Sequence, residues 1–204
     1  MLPKDSSTGN SLTTTSCNSR GWSQKSSSSH MSITKKFLDE YIQIKFNEIS
    51  QLAEPMFCVT VATTDKLLES GHDWCYIACH QCPRVAKGEI PPFFCSVGHR
   101  IEAEIRRFKI FVEVVHEGNT AKFLFWNQEA TELLDTTAAQ TRATMIHDGI
   151  TDSLEFPLAL DVMLGKKFAF KVKWDPKWKS SSIVQFIKDN HLITILEGPL
   201  AINQ

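Results

Sequence analysis

Residues 76–100 read YIACHQCPRVAKGEIPPFFCSVGHR, and Cys79, Cys82, Cys95 and His99 within it constrain this chain more than any other feature. Zinc takes four nitrogen or sulfur ligands in a tetrahedron. A Cys-x-x-Cys turn supplies two of them because it aims both sulfurs inward from neighbouring backbone positions. Cys79-His80-Gln81-Cys82-Pro83 is such a knuckle, and Cys95 opens a second, CSVGH, in which Gly98 stands where a Cys is expected and His99 follows. A Cys3His set is closed by protein side chains alone, which marks a structural site with no open position for substrate. The competing explanation, thiols buried as small apolar groups, fits scattered cysteines better than this spacing. Cys75 and His80 are rival fourth ligands, Cys75 read as packed in a strand beside Trp74 and His80 as facing solvent. Redox chemistry at Cys79 and Cys82 is disfavoured, because a thioredoxin-like pair would sit in a βαβ pattern.

The 204 residues carry no N-terminal apolar run and no stretch of about 20 apolar residues. A reducing intracellular setting is therefore expected, where clustered cysteines mean metal or redox chemistry more often than disulfides. Hydrophobic residues at 42% allow a real core. A net charge of -1 argues against coating polyanions by bulk charge, so any nucleic-acid surface requires local segregation of Lys and Arg. Residues 1–33 are rich in Ser, Thr, Gly and Asn and read as a disordered leader or, with Lys4, Arg20 and Lys25 against Asp5, an organellar transit peptide. Residues 34–52 form a lead-in, helical or extended, and 199–204 a tail.

The span 53–198 reads as one β-rich domain, with the ribbon at 74–100. RRFKIFVEVV at 106–115 alternates, placing Phe108, Ile110, Val112 and Val114 on one face and Lys109, Phe111, Glu113 and Val115 on the other. Gly118-Asn119 supplies a tight turn into TAKFLFW, giving a hairpin over 106–126. NQEATELL then predicts a helix that Asn127 can cap. Residues 136–160 predict a loop with a short helix. KKFAFKVKWD alternates again, with Phe168, Phe170, Val172 and Trp174 opposite Lys167, Ala169, Lys171 and Lys173. IVQFIKD and HLITIL are expected to close the domain as a last strand pair. The predicted class is mainly β, a five-stranded antiparallel barrel of the OB type with an inserted zinc ribbon and one or two short helices.

The combination of FNEISQLAEPMFCVTVAT, WCYIACHQCPRV, FFC, RFKIFVEVV, KFLFWNQEATELL and LGKKFAFKVKW resembles one family over about three quarters of the chain. That family is the C-terminal, zinc-bearing OB domain of the large subunit of replication protein A, especially its plant and transposon-related forms. The resemblance implies single-stranded DNA binding inside a multi-OB complex in the nucleus, with partner OB subunits, a bound Zn2+ and the ribbon inserted between the first two barrel strands. Three departures stand out. Gly98 replaces the fourth ligand of a four-Cys site, Lys122 stands where some relatives carry an aromatic, and the chain stops at EGPLAINQ without the long helix through which the family trimerises.

Sequence-tolerant binding of single strands needs rings that stack on bases and cations that follow phosphates on one exposed face. Strand parity turns Phe111 outward, and Lys122, Leu124 and Trp126 share a face on the partner strand; the family register makes Trp126 an outward aromatic. Packing of Trp126 against the helix or ribbon is the alternative. Lys109, Lys122, Lys171 and Lys173 supply the cations. Residues 166–179 hold Lys166, Lys167, Lys171, Lys173, Lys177 and Lys179 against Asp175 alone, while Glu113 and Glu117 weaken the hairpin's potential. Two function classes follow: a single-stranded DNA-binding module, or a docking module of the same fold with binding largely lost. Catalysis is not expected, because His72, Asp73, His116, His147 and Asp148 accompany no nucleophile motif or phosphate loop.

Overall fold

The computed structural model describes residue 37, residues 41–69 and residues 73–198. The leader at 1–33, most of the lead-in before 41 and the tail at 199–204 lie outside the described residues. Element order is β1 (Ile42–Gln43), α1 (Phe46–Ile49), β2 (Met56–Leu67), β3 (Cys75–Ile77), β4 (Ala86–Lys87), β5 (Phe93–Cys95) and β6 (Arg100–Ile101). It continues with β7 (Arg106–His116), β8 (Asn119–Trp126), α2 (Asn127–Leu134), α3 (Ala138–His147), a 3₁₀ turn (Leu158–Met163), β9 (Lys167–Asp175), β10 (Ser180–Ile187) and α4 (Asn190–Glu197).

The long strand β2 closes the barrel. It pairs with β9 over Met56–Thr63 and with β7 over Thr63–Leu67, and a bulge between Thr64 and Lys66 lets it bend from one neighbour to the other. The circuit β2–β9–β10–β8–β7–β2 is complete. All of its pairs are antiparallel except β8 with β10. A parallel pair needs a crossover, and the helical excursion through α2 and α3 followed by β9 provides it. This is the five-stranded barrel of the OB-fold, with helices between its third and fourth strands and residues 73–105 inserted between its first two.

Strand parity is as expected. Phe108, Ile110, Val112 and Val114 of β7, Phe123 and Phe125 of β8, and Phe168, Phe170, Val172 and Trp174 of β9 share one interior cluster with Trp74, Cys58 and Cys75. Burial pushes the Cys58 thiol up to about 11. It also raises that of Cys75, against the opposing Arg106 guanidinium. Thr64, fully buried, seals the seam: its hydroxyl donates to Met163 O (2.5 Å) and accepts from Lys166 N (3.1 Å).

Four local expectations are corrected. The hairpin turn is Glu117-Gly118, both at positive φ (47° and 77°), while Asn119 already pairs with His116 as the first residue of β8. Asn127 does not cap α2; its Oδ1 accepts the Phe108 N–H (3.1 Å) and so ties the helix start to β7. HLITIL is helix α4 rather than a strand. Asp189 accepts the Leu192 N–H (2.7 Å) at its N-terminus, and the i, i+1, i+4 spacing of Leu192, Ile193 and Leu196 presents one apolar stripe. Finally, the stretch 136–160 contains a full helix, α3, opened by the Thr137–Gln140 capping box.

The stripe of α4 packs with Phe37, Val59, Val61 and Ala169, so the outer face of β2 and β9 is covered. The lead-in joins that cover: β1 pairs in parallel with β2, and Gln43 donates to Leu196 O (2.8 Å).

Candidate metal centre and nucleic-acid interface

The strand β3 leaves the barrel by pairing with β7 at Cys75–Ile77, and Ala78 then bridges Val85 to start the ribbon. The three short strands β4, β5 and β6 form a separate sheet. Its interior is only Cys79, Ala86, Phe93, Cys95 and Ile101, with Ile77 and Cys82 at the margin. So small a cluster buries too little apolar surface to hold a fold unaided.

Cys79, Cys82, Cys95 and His99 converge inside it, their donor atoms all within 4.8 Å of one another. His99 Nδ1 lies 3.4 Å from Cys79 Sγ, and the Cys82 and Cys95 sulfurs are 3.8 Å apart. Tetrahedral ligands at zinc-like bond lengths stand about 3.5–3.8 Å from each other, so the donor set fits a metal of that kind. The Gln81 N–H points at Cys79 Sγ (3.3 Å), the backbone-to-sulfur contact that shapes a knuckle. At Cys95 desolvation pushes the thiol up, but the N–H groups of Val97 and His99 together with hydrogen bonds from the Cys82 and Cys79 thiols outweigh it and hold the thiol below its ordinary value.

The second knuckle shows why His99 replaces Gly98. Gly98 N donates to Cys95 O (2.9 Å) with Gly98 at φ +86°, a left-handed conformation that strains a side chain even where space is open. The turn therefore spends position 98 on backbone geometry and delivers the next side chain to the site. The rival ligands are elsewhere. Cys75 is in the barrel core, with Arg106 Nη1 3.5 Å from its sulfur, and His80 is exposed beside Gln81 Nε2 (3.2 Å).

On the barrel, the outward row of the β7–β8 hairpin sets Lys109 opposite Trp126, Phe111 opposite Leu124 and Glu113 opposite Lys122. Lys122 Nζ stands 3.9 Å from the Phe111 ring centroid and Lys109 Nζ 5.6 Å from it, so both cations flank one half-buried ring. Trp126 is 37% exposed and does not vanish under the helix. Its indole N–H donates to Ser182 Oγ of β10 (3.2 Å), and Tyr76 meets it edge-on at 6.4 Å.

The register carries the row further in both directions. Tyr76 of β3 pairs with Arg107, adding a ring and a cation beyond Lys109. On the other side Leu124, Ser182, Lys173 and Phe57 follow one another across β8, β10, β9 and β2. Lys173 is exposed, with Nζ 5.5 Å from the Phe57 ring. Lys171 does not join this surface: it is only 7% exposed, its Nζ 4.1 Å from the Tyr41 ring and 5.2 Å from Phe37, under the lead-in. Lys167 is committed to Glu197 (2.8 Å).

Tyr76, Arg107 and Trp178 were missed in the sequence. Trp178, at the tip between β9 and β10, is 67% exposed with Lys177 Nζ 5.2 Å from its ring. The triplet KWK carried that signal, and the alternation that turns Lys109 and Phe111 outward carried it for Arg107; Tyr76 depends on a β3–β7 pairing that no local pattern shows. The His and Asp residues set aside for catalysis do not assemble. His147 pairs with Asp148 (3.1 Å) at an exposed helix end, His116 lies edge-on to Phe46, and Asp73 accepts from Ser153 (3.0 Å); His72 lies outside the described residues.

No protein-family profile and no curated protein matches the chain. Among solved structures, its fold is similar to a chain of a replication protein A heterotrimer bound to single-stranded DNA, with a TM-score of 0.57 and 12% identity. That match covers 77% of this chain and 38% of the other, so the chain spans well under half of that relative's length. It is also similar to yeast replication protein A bound to single-stranded DNA, at a TM-score of 0.52 and 13% identity, covering 76% of this chain and 94% of that one. At such identities the likeness shows the fold, an OB barrel like that of replication protein A.

Proposed function

We propose that this chain is a single-stranded DNA-binding OB module of the replication protein A type, its ribbon held by a structural Zn2+ on Cys79, Cys82, Cys95 and His99. The observation that carries the reading is the hairpin's outer face, where Phe111 lies between two lysines and Trp126 stands exposed beside Lys109. Rings and cations on one open barrel face are what sequence-tolerant stacking requires, at about 1–3 kcal/mol per base. Two known structures of this fold hold single-stranded DNA, which supports the ligand class. The proposal extends to a nuclear role in replication, repair or recombination beside other OB subunits.

Zinc fits better than a catalytic metal because all four ligands are protein side chains, and better than calcium or magnesium because none is a carboxylate. Its part is mechanical: binding supplies the folding energy that the ribbon's small apolar cluster lacks.

Fluorescence anisotropy with labelled oligo(dT) and oligo(rU) across a salt series tests the first half. Saturable binding that weakens with salt is expected, while absence of binding at low salt defeats the reading and leaves the docking module. Metal analysis tests the second. One zinc per chain is expected in the wild type and less in His99→Ala; an unchanged stoichiometry rules out His99 as the fourth ligand.

A further inference from the structure

The ribbon's outer face carries a row that neither the metal site nor the barrel uses. In β4, β5 and β6 the inward residues are Ala86, Phe93, Cys95 and Ile101, which form the small interior. The residues between them point outward, and the pairing places Lys87 opposite Phe94 and Phe94 opposite Arg100. The result is a three-strand row reading cation, ring, cation.

Phe94 is 49% exposed, while its neighbour Phe93 fills the interior. Among the described residues no ring packs against Phe94 and no cation is seated on it. A half-exposed ring contributes little to the ribbon's folding, and its place between two cations in one row, rather than its exposure, is what marks it. Both flanking cations are exposed. Arg100 does bond Glu102 (2.5 Å), but with side chains 63% and 68% exposed this is a weak surface pair that an arriving phosphate displaces. Arg84, bonded to Ser96 Oγ (2.9 Å), adds a further exposed cation to the ribbon.

We infer that the row Lys87–Phe94–Arg100 is a second station for single-stranded nucleic acid, one base stacking on Phe94 while the two cations hold adjacent phosphates. This rests on the single-stranded DNA reading of the barrel face. Its components are those found at Phe111, one ring with two cations on antiparallel strands, here with the ring face left free. Continuity favours one strand serving both: β3 carries Tyr76 in the barrel row and leads without a break into the ribbon. An acidic peptide would find cations here but would have no use for the open ring face of Phe94.

The experiment measures the affinity of the full chain, loaded with zinc, for oligo(dT) of about 5 and about 15 nucleotides, the short and long ends of what one OB-fold covers. Phe94→Ala is expected to weaken the long oligonucleotide by about five- to tenfold and the short one hardly at all. Trp126→Ala weakens both. Lys87→Gln with Arg100→Gln lowers the salt slope for the long oligonucleotide by about 1 to 1.5, leaving the short one unchanged. Zinc content and melting temperature like those of the wild type show that the ribbon is intact, and Phe94→Trp restores long-oligonucleotide binding. If the wild type binds neither oligonucleotide, the barrel reading fails and this inference with it. If the wild type binds both and the ribbon variants match it on the long one, the second station alone is overturned.

Discussion

Strands β7 and β9 both alternate, with aromatic and branched residues on the inner side and cations interleaved with other groups on the outer, yet their outer faces have opposite fates. The β7 face stays open, with Lys109 and Lys122 around Phe111 and Trp126 beside them. Much of the β9 face is roofed by Phe37, Tyr41 and α4, which bury Ala169 and Lys171 and leave Lys173 in the open at one end and Lys167, paired with Glu197, at the other. The difference lies in what the rest of the chain brings. The stripe of α4 needs an apolar partner, and Val59, Val61 and Ala169 offer one. The outward residues of β7 and β8 include Glu113 and five cation or aromatic groups, Arg107, Lys109, Phe111, Lys122 and Trp126, and offer α4 no comparable apolar partner. A lysine on a strand is therefore a solvent-facing cation or a packing residue according to its cover, not its parity.

Replacing the rings breaks the comparison most sharply. Trp126→Ala and Phe111→Ala are each expected to weaken oligo(dT) binding by about 5- to 100-fold, the range for one stacked base, measured by anisotropy at fixed salt. The lysines give the next effect. Lys173→Gln is expected to lower the salt slope by about 0.7, one phosphate contact on a single strand, whereas Lys171→Gln leaves the slope unchanged and lowers the melting temperature instead. An equal loss of slope from both would mean that the roof over Lys171 opens when nucleic acid binds.

Much of this was legible because alternation fixes which residues face inward. The interior of β7, β8 and β9 and the outward position of Phe111 follow from parity alone, and the spacing of Cys79, Cys82 and Cys95 with His99 pointed to the four side chains that converge in the ribbon. What escaped depended on partners. HLITIL is a short apolar run whose period is ambiguous in isolation. Asp189 before it and the Leu192, Ile193, Leu196 spacing were the available signs of a helix. The burial of Lys171 follows from that same helix and the lead-in, so one misread element concealed the other. Asn127 caps well in isolation, but a β7 N–H left without a strand partner draws its side chain away.

Glu113 offers the finest adjustment. It sits on the open row opposite Lys122 and is bonded to Lys66 (3.0 Å), whose pKa that hydrogen bond and the carboxylate charge raise. On the roofed face a carboxylate would be a packing problem; on the open face it is a negative charge beside Lys66 and across from Lys122. Glu113→Gln keeps the shape, frees Lys66 from its ion pair and removes a negative charge across from Lys122. Binding is expected to strengthen by less than about fivefold, the scale of one exposed charge interaction, and the gain should fade as salt is raised. A gain that persists at high salt would mean that Glu113 opposes binding by shape rather than by charge, and the open face would then be read by fit to the bases as well as by phosphate attraction.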